Sequence, residues 1–432
     1  MDARVNAEWD RLRTVVLHRP GIEMFFGLLE PYASLYERAF SRYGARIEHA
    51  RLEETLRHEF GVRVVLLKET ILAAADTRPG VRDLLIDAAR ESMNYTGDKE
   101  EVRLAWVEFE KNIPAFDAGH FFNILLLHPR IDVQAGSGTR GIHLAITERQ
   151  PLSNLYFMRD QQAVTDRGIV LGLMAKPQRL REPRITRFLW ETLGVPVVQE
   201  VRGPAIFEGG DFMPMGSFAL VGMGDRTNRE GIEQVLSGGL GFDEVGVVHQ
   251  PVHPLIPGRN PDPMVNMHLD TYFNVVSGGV VVGSELLMKH AKVETFCREG
   301  DTYRKEGGET DLLSFIRQKG FDIIDLTTLE QMAYAPNFLC IREGTILAVE
   351  VDQVVKDVLR TLAVKAELDP SRYGALYAQA QKDYRFLRSE GQFFPHKKDV
   401  YANDIDAYPM IFENLAGGYG AAHCMTCALR RG

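Results

Sequence analysis

Cysteine is scarce in this chain. Four occur in 432 residues, at Cys297, Cys340, Cys424 and Cys427. Four in so long a chain form no disulfide framework, and the protein is expected in a reducing, cytoplasmic setting. Long apolar runs are also missing. The longest is about the size of FFNILLLHP, far short of the ~20 residues a membrane helix needs. The opening MDARVNAEWDRLRT is charged and has no apolar signal-peptide core. No cluster of Lys and Arg forms a basic stripe, and the net charge is −9. Nucleic acid and membrane are therefore excluded as partners. HExxH, EF-hand and His-rich patterns are absent, so no metal is expected.

What is present is an ordinary globular composition, 45% hydrophobic and able to fill a large core. Four stretches look alike: NLYFMRDQQAVTDRGIVLG, IFEGGDFMPMGSFALVG, MHLDTYFNVVSGGVVVG and NFLCIREGTILAV. Each reads as two short β-rich runs around a turn, a hairpin signal. Helical patterns lie between them. RITRFLWETLG places Ile185, Phe188, Leu189 and Thr192 on one face and ends at Gly194, a natural C-cap. It runs into the strand VPVVQE. GIEQVLSGGLG leads into FDEVGVV, DLLSFIRQKG into FDIIDL, and RLEETLRHEFG into VRVVLL in the same way. The unit is hairpin, helix, Gly, strand, recurring at roughly 50–70 residues. Such a unit, closing on itself, makes a propeller-like α/β barrel with pseudo-symmetry.

Two segments break the pattern. Residues 76–150 read as mostly helical and polar, an inserted helical subdomain within a single catalytic domain spanning 1–432. Residues 352–409, rich in Lys, Tyr, Asp and Gln, read as a further helical insertion before the last strand. Insertions of this size belong on one face, often the one that binds ligand.

The chemistry gathers near the first runs of the hairpins: Asp160 in FMRD, Glu208 and Asp211 in FEGGD, and His268 and Asp270 in MHLD. Read as a strand, His268 and Asp270 point to the same face. If equivalent repeat positions converge, carboxylates, a His and a Cys meet. Clustered carboxylates repel one another unless a cation joins them. A planar guanidinium matches them edge-on. Cys424 would then be a nucleophile whose pKa a cationic ligand lowers. His268 would protonate the leaving amine and activate water. Each piece alone has a plainer reading. Cys424 and Cys427 could be half a zinc site, a redox pair or simply core, HLD could be structural, and EGGD could be a capped turn.

The set NLYFMRD, FEGGDF, GMGDRTNREGI, MHLDTYF, NFLCI and HCMTCALRR, with the opening TVVLHRPG, resembles arginine deiminases. These belong to the guanidine-modifying enzymes of pentein fold, a five-fold pseudosymmetric α/β propeller. The resemblance runs in order over most of the chain. It implies hydrolysis of L-arginine to L-citrulline and ammonia through a covalent Cys424 thiouronium, with no cofactor. His268 is then the acid and base, supported by Glu208, and Asp160 and Asp270 grip the guanidinium. Asn154, Arg226 and either Arg179 or Arg181 would hold the amino-acid end, Phe157 the stem, and Asp211 joins the substrate-binding set. The stretch GGYGAAHCMT departs from the family pattern, with His423 before the nucleophile, as in amidinotransferase and agmatine deiminase branches. An arginine dihydrolase giving ornithine, carbon dioxide and ammonia, or an amidinotransferase using an amine acceptor, is the alternative. The long segment before the last strand is expected to cover the site or to build a contact in a homo-oligomer.

Overall fold

A computed structural model of the chain describes residues 2–135, 142–238, 240–258, 262–300 and 302–432. Six sheets form among these residues, and five of them share one plan. An antiparallel hairpin comes first, and its second strand pairs in parallel with a third strand reached through helix. In the first unit Gln162–Val164 and Ile169–Leu171 make the hairpin and Val197–Glu200 the parallel partner. The second unit uses Phe212–Met215, Phe218–Met223 and Glu244–His249. The third uses Phe273–Ser277, Val280–Gly283 and Asp322–Asp325. The fourth uses Leu339–Arg342, Thr345–Val349 and Asp406–Met410. The fifth draws on both ends of the chain. Cys427–Arg431 pairs antiparallel with Leu12–Leu17, and Arg63–Leu66 joins in parallel.

The local sequence explains these elements. Middle strands are covered on both faces and read as continuous apolar runs, as in Thr345–Val349, which is buried throughout. The crossover helix Glu182–Leu193 buries Ile185, Leu189 and Trp190 and turns Arg187 and Glu191 to solvent. It stops at Gly194, whose φ of 65° is left-handed, so the sequence-based C-cap is where the helix ends.

Residues 76–150 differ in content from their sequence reading. Helices Pro79–Ser92, Lys99–Asn112 and Ala118–Leu127 are there, but so is a sheet of Asn94–Gly97, Arg130–Ala135 and Ile142–Glu148. The run RIDVQA alternates apolar and polar residues, a period-2 signal that the surrounding helical pattern masks. Part of this stretch, 136–141, lies outside the described residues. The segment 352–409 holds most of two long helices, Val351–Leu368 and Pro370–Glu390, a short helix Lys398–Ala402, and most of the parallel strand of the fourth unit. The second sheet is extended by the antiparallel strands Lys292–Glu299 and Thr302–Asp311. Among the described residues no helix is long and apolar enough to cross a membrane.

The terminal strand carries the fully buried Leu429. Leu429→Ala is expected to lower stability by about 2–5 kcal/mol, because the lost methylenes leave a cavity in a packed core. A urea titration followed by fluorescence measures it.

Candidate active site

Each of the five units presents polar side chains from the residues just ahead of its first strand. They are Asp160, Glu208, His268 with Asp270, Asn337 and Cys424, in chain order. All six are buried, with at most 2% exposure. Asp160 and Cys424 line a cavity of about 480 Å³, with Asn154, Phe157, Arg179 and Arg226. Tyr32, Tyr36 and Tyr419 add aromatic walls.

The backbone that carries these groups is turn rather than strand. Gly209–Asp211 and Leu269–Thr271 are short 3-10 turns. His268 and Asp270 are therefore placed by a turn and not by strand alternation, and they bond to different partners. His268 Nε2 meets Glu208 Oε2 at 2.8 Å, while Asp270 Oδ2 meets His423 Nδ1 at 2.7 Å and lies 3.6 Å from Cys424 Sγ. The turns are tight enough to need glycine. A Cβ on Gly210 would stand 2.7 Å from His268 Nδ1, and one on Gly420 2.9 Å from the Cys424 Cβ.

Two groupings result. In the first, His268 Nδ1 is 3.9 Å from Asp160 Oδ1. Burial disfavours the charge on His268, but Asp160, Glu208 and Asp211 outweigh it and push its pKa up to about 9. Burial works against the Glu208 carboxylate as well. Arg226, His268 and Arg179 outweigh it and hold Glu208 down to about 2. In the second grouping, burial opposes ionisation of Asp270, yet His423, His268 and Arg159 keep it below the usual carboxylate range. Burial, then the charges of Asp270 and Asp160, push the Cys424 thiol well above its ordinary range. The thiol rests neutral in a site whose surroundings are anionic.

The remaining expected residues fall in distinct places. Arg179 lines the cavity, but its guanidinium is engaged by Asp160 at 2.7 Å and Glu182 at 2.8 Å. Arg181 lies elsewhere, donating to the carbonyls of Leu125 and Gln150. Arg226 stands 3.6 Å from Glu208, and its Nη1 has no hydrogen-bond partner although it is buried. Asn154 donates to the Ser34 carbonyl at 2.7 Å. Asp211 does not line the cavity. It accepts from Thr227 Oγ1 at 2.7 Å and from the Leu269 N–H at 3.0 Å, so it pins one turn to the next, and burial raises its pKa to about 6.

Sequence reasoning gave Asn337 no role. Its Nδ2 donates to Cys424 Sγ at 3.0 Å, and its Oδ1 accepts from the N–H groups of Ala421 and Cys424 at 2.8 and 3.1 Å. The available signal was positional, since Asn337 opens the NFLCI stretch and precedes its first strand as Asp160 and Glu208 precede theirs. The long helices Val351–Leu368 and Pro370–Glu390 also reach the site indirectly. Lys365 and Tyr373 bind Asp262 at 2.8 and 2.6 Å, next to the cavity-lining Pro263.

Asp160, Glu208 and His268 offer ligand atoms within 4.8 Å of one another, a spacing that could hold a metal ion. Two cations already serve that cluster, Arg179 on Asp160 and Arg226 beside Glu208.

Residues 33–431 match the arginine deiminase family. The chain belongs to that family. Among its members, the arginine deiminase of Halobacterium salinarum is 25% identical, covering 99% of this chain and 96% of its own. That of Staphylococcus haemolyticus is 28% identical, covering 84% and 92%. Solved structures share the fold. A dimethylarginine dimethylaminohydrolase adduct with S-methyl-L-thiocitrulline gives a TM-score of 0.51 at 11% identity, covering 96% of this chain and 98% of that one. The N-terminal domain of the cyanobacterial arginine dihydrolase ArgZ gives 0.51 at 12%, covering 96% and 97%. The architecture of this family member is thus a mixed α/β fold of the type found in those guanidine-modifying enzymes.

The His268 shift has a measurable sign. A folded-state pKa of about 9 lies above the unfolded value of 6.5, so the contribution is complete below pH 6.5 and is lost as pH rises through 9. Denaturant titrations should show stability falling across that window by up to ~1.4 kcal/mol per pH unit for this one proton. His268→Gln should flatten that part of the slope. An unchanged slope in the variant counts against the charge assigned to His268.

Proposed function

We propose that the protein hydrolyses L-arginine to L-citrulline and ammonia, with Cys424 as nucleophile. The observation that carries this reading is a buried, neutral thiol beside carboxylates with open oxygens. Asp160 Oδ1 and Asp270 Oδ1 have no hydrogen-bond partner among the described residues. A planar cation with several N–H donors supplies what both lack. Membership of the arginine deiminase family makes that cation a guanidinium.

The steps follow from the charges. Substrate guanidinium between Asp160 and Asp270 offsets the negative field that holds the Cys424 proton, so the thiol releases that proton to solvent, where the departing ammonia takes it up, and the thiolate forms once substrate is bound. Asn337 stabilises the sulfur through its amide N–H. The thiolate adds to the guanidinium carbon and makes a tetrahedral adduct. His268, held protonated by Glu208, gives its proton to the departing nitrogen, and ammonia leaves a thiouronium on Cys424. His268 then takes a proton from water, which attacks the same carbon. Collapse expels the thiolate and releases citrulline. Arg226, with an unsatisfied Nη1 in the cavity wall, receives the substrate carboxylate. Arg179 serves Asp160 and Glu182 instead, and Phe157 packs on the aliphatic stem. Asn154 faces the α-amino end.

The same reading takes the five units as blades of one propeller around this cavity, since each delivers its polar group from the equivalent place. It takes 1–432 as one catalytic domain and 76–150 as an insertion whose described residues line none of the cavity. Residues 352–409 then buttress the loop at Asp262, and a homo-oligomer is part of the proposal.

Mass spectrometry of products from purified protein and L-arginine tests this. Citrulline is expected, and Cys424→Ala should lower turnover at least ~10³-fold. Ornithine without citrulline, or full activity in the variant, would overturn the reading. Arg226→Gln should raise KM for L-arginine by about 10–100-fold, the loss of one charged hydrogen bond. Its effect on agmatine, which lacks the carboxylate, should be several-fold smaller.

A further inference from the structure

The residue beside the nucleophile has no part in the chemistry above, yet it is as deeply buried as any group in the site. His423 is 0% exposed. Its Nδ1 lies 2.7 Å from Asp270 Oδ2, the same oxygen that stands 3.6 Å from Cys424 Sγ. Its Nε2 faces Glu8 Oε1 at 3.6 Å without a hydrogen bond. Glu8 is itself held by Arg159 at 2.8 Å and by Arg431 at 2.9 Å. The charged groups around His423 are therefore Asp270 and Glu8, with Arg159, Arg431 and His268 acting through them.

We infer that His423 is a positioning residue: its Nδ1–H pins Oδ2 of Asp270, keeping that carboxylate ionised and its Oδ1 open to the substrate beside Cys424. The inference rests on the proposed guanidinium-binding role of Asp270. A carboxylate accepts but does not donate, so the bond requires the proton on Nδ1. A buried carboxylate without such a donor takes up a proton or turns to find another partner. Either response would spoil the grip on the guanidinium. Glu8 faces the second nitrogen and bonds with two arginines, so it confines the ring and leaves Asp270 as its hydrogen-bond acceptor.

Two substitutions separate this role from mere filling of space. The amide nitrogen of Asn sits near the place of a His Nδ1, and that of Gln near the place of Nε2. His423→Asn should keep the Asp270 bond, with kcat/KM for L-arginine within about 5-fold. His423→Gln should lose about 10–100-fold, the usual effect of removing an outer-shell partner. In His423→Gln the acid limb of kcat/KM should also move to higher pH by about one unit, because Asp270 then takes its proton earlier as pH falls. Thermal melts establish that both variants fold. Equal losses in the two, or an acid limb that stays in place, would overturn the inference. A readout without substrate keeps it apart from the activity itself. In 15N-histidine spectra His423 should carry its proton on Nδ1, with a slowly exchanging resonance absent from His423→Asn. A neutral ring protonated only on Nε2 would sink the proposal even if citrulline is formed. If the wild-type protein leaves arginine untouched, the functional reading falls and the spectrum still decides the role of His423.

Discussion

The site depends on the compensation of ions taken out of water. Glu8, Asp160, Glu182, Glu208 and Asp270 are buried, and so are Arg159, Arg179, Arg226, Arg431, His268 and His423. Each ion removed from water costs several kcal/mol unless a partner answers it. The partners are distributed unequally. Glu8 has two arginines, Arg179 divides itself between Asp160 and Glu182, and Glu208 has His268 with Arg226 behind it. What remains unanswered is one oxygen each on Asp160 and Asp270. Those two oxygens are where the N–H donors of a further planar cation would fit.

The same imbalance governs the nucleophile. An ordinary activated cysteine sits near positive charge and is ionised in the free enzyme. Cys424 is surrounded by the opposite field and stays protonated. In the proposed reaction, reactivity arrives with the guanidinium, which offsets the carboxylates and carries the electrophilic carbon at once. A neutral ligand of the same shape would leave the thiol inert. On that proposal selectivity and activation come from one electrostatic arrangement, and Arg226 and the aromatic walls have only to set the distal end.

The place of several of these side chains was legible in the sequence. The repeated hairpins pointed to the residues that the structure gathers, because each unit's polar residue precedes its first strand by a few positions. Cys424, Glu208 and Asp160 stand out on that basis. Other parts were not readable. Whether His268 and Asp270 share a face depends on a 3-10 turn that periodicity does not distinguish from the start of a strand. Arg179 and Arg181 differ by two residues and diverge completely, because one ends a 3-10 turn over the cavity and the other starts the next helix facing Leu125. Asp211 shares its motif with Glu208, but its bonds to Thr227 and Leu269 appear only when distant turns meet. Asn337 carried no charge to draw notice. Glu8 lies far from Cys424 in sequence, and no local pattern links them.

That last separation has a structural meaning. The fifth unit pairs Cys427–Arg431 with Leu12–Leu17, so the nucleophile is placed by a contact between segments more than 400 residues apart, as is the Arg431–Glu8 bond. The Cys424 carbonyl also accepts from the Arg159 N–H at 3.0 Å, tying the last unit to the first. Contacts of such long range form only after most of the chain has found its place, because their loop-closure entropy must be offset by structure already present. The buried setting that keeps the Cys424 thiol neutral therefore requires these contacts. The carboxylates that suppress it, Asp160 and Asp270, and His268 come from the intervening units. Nucleophile, suppressor and acid therefore appear together, and an exposed, reactive Cys424 thiolate is not a species the folded chain presents before substrate enters.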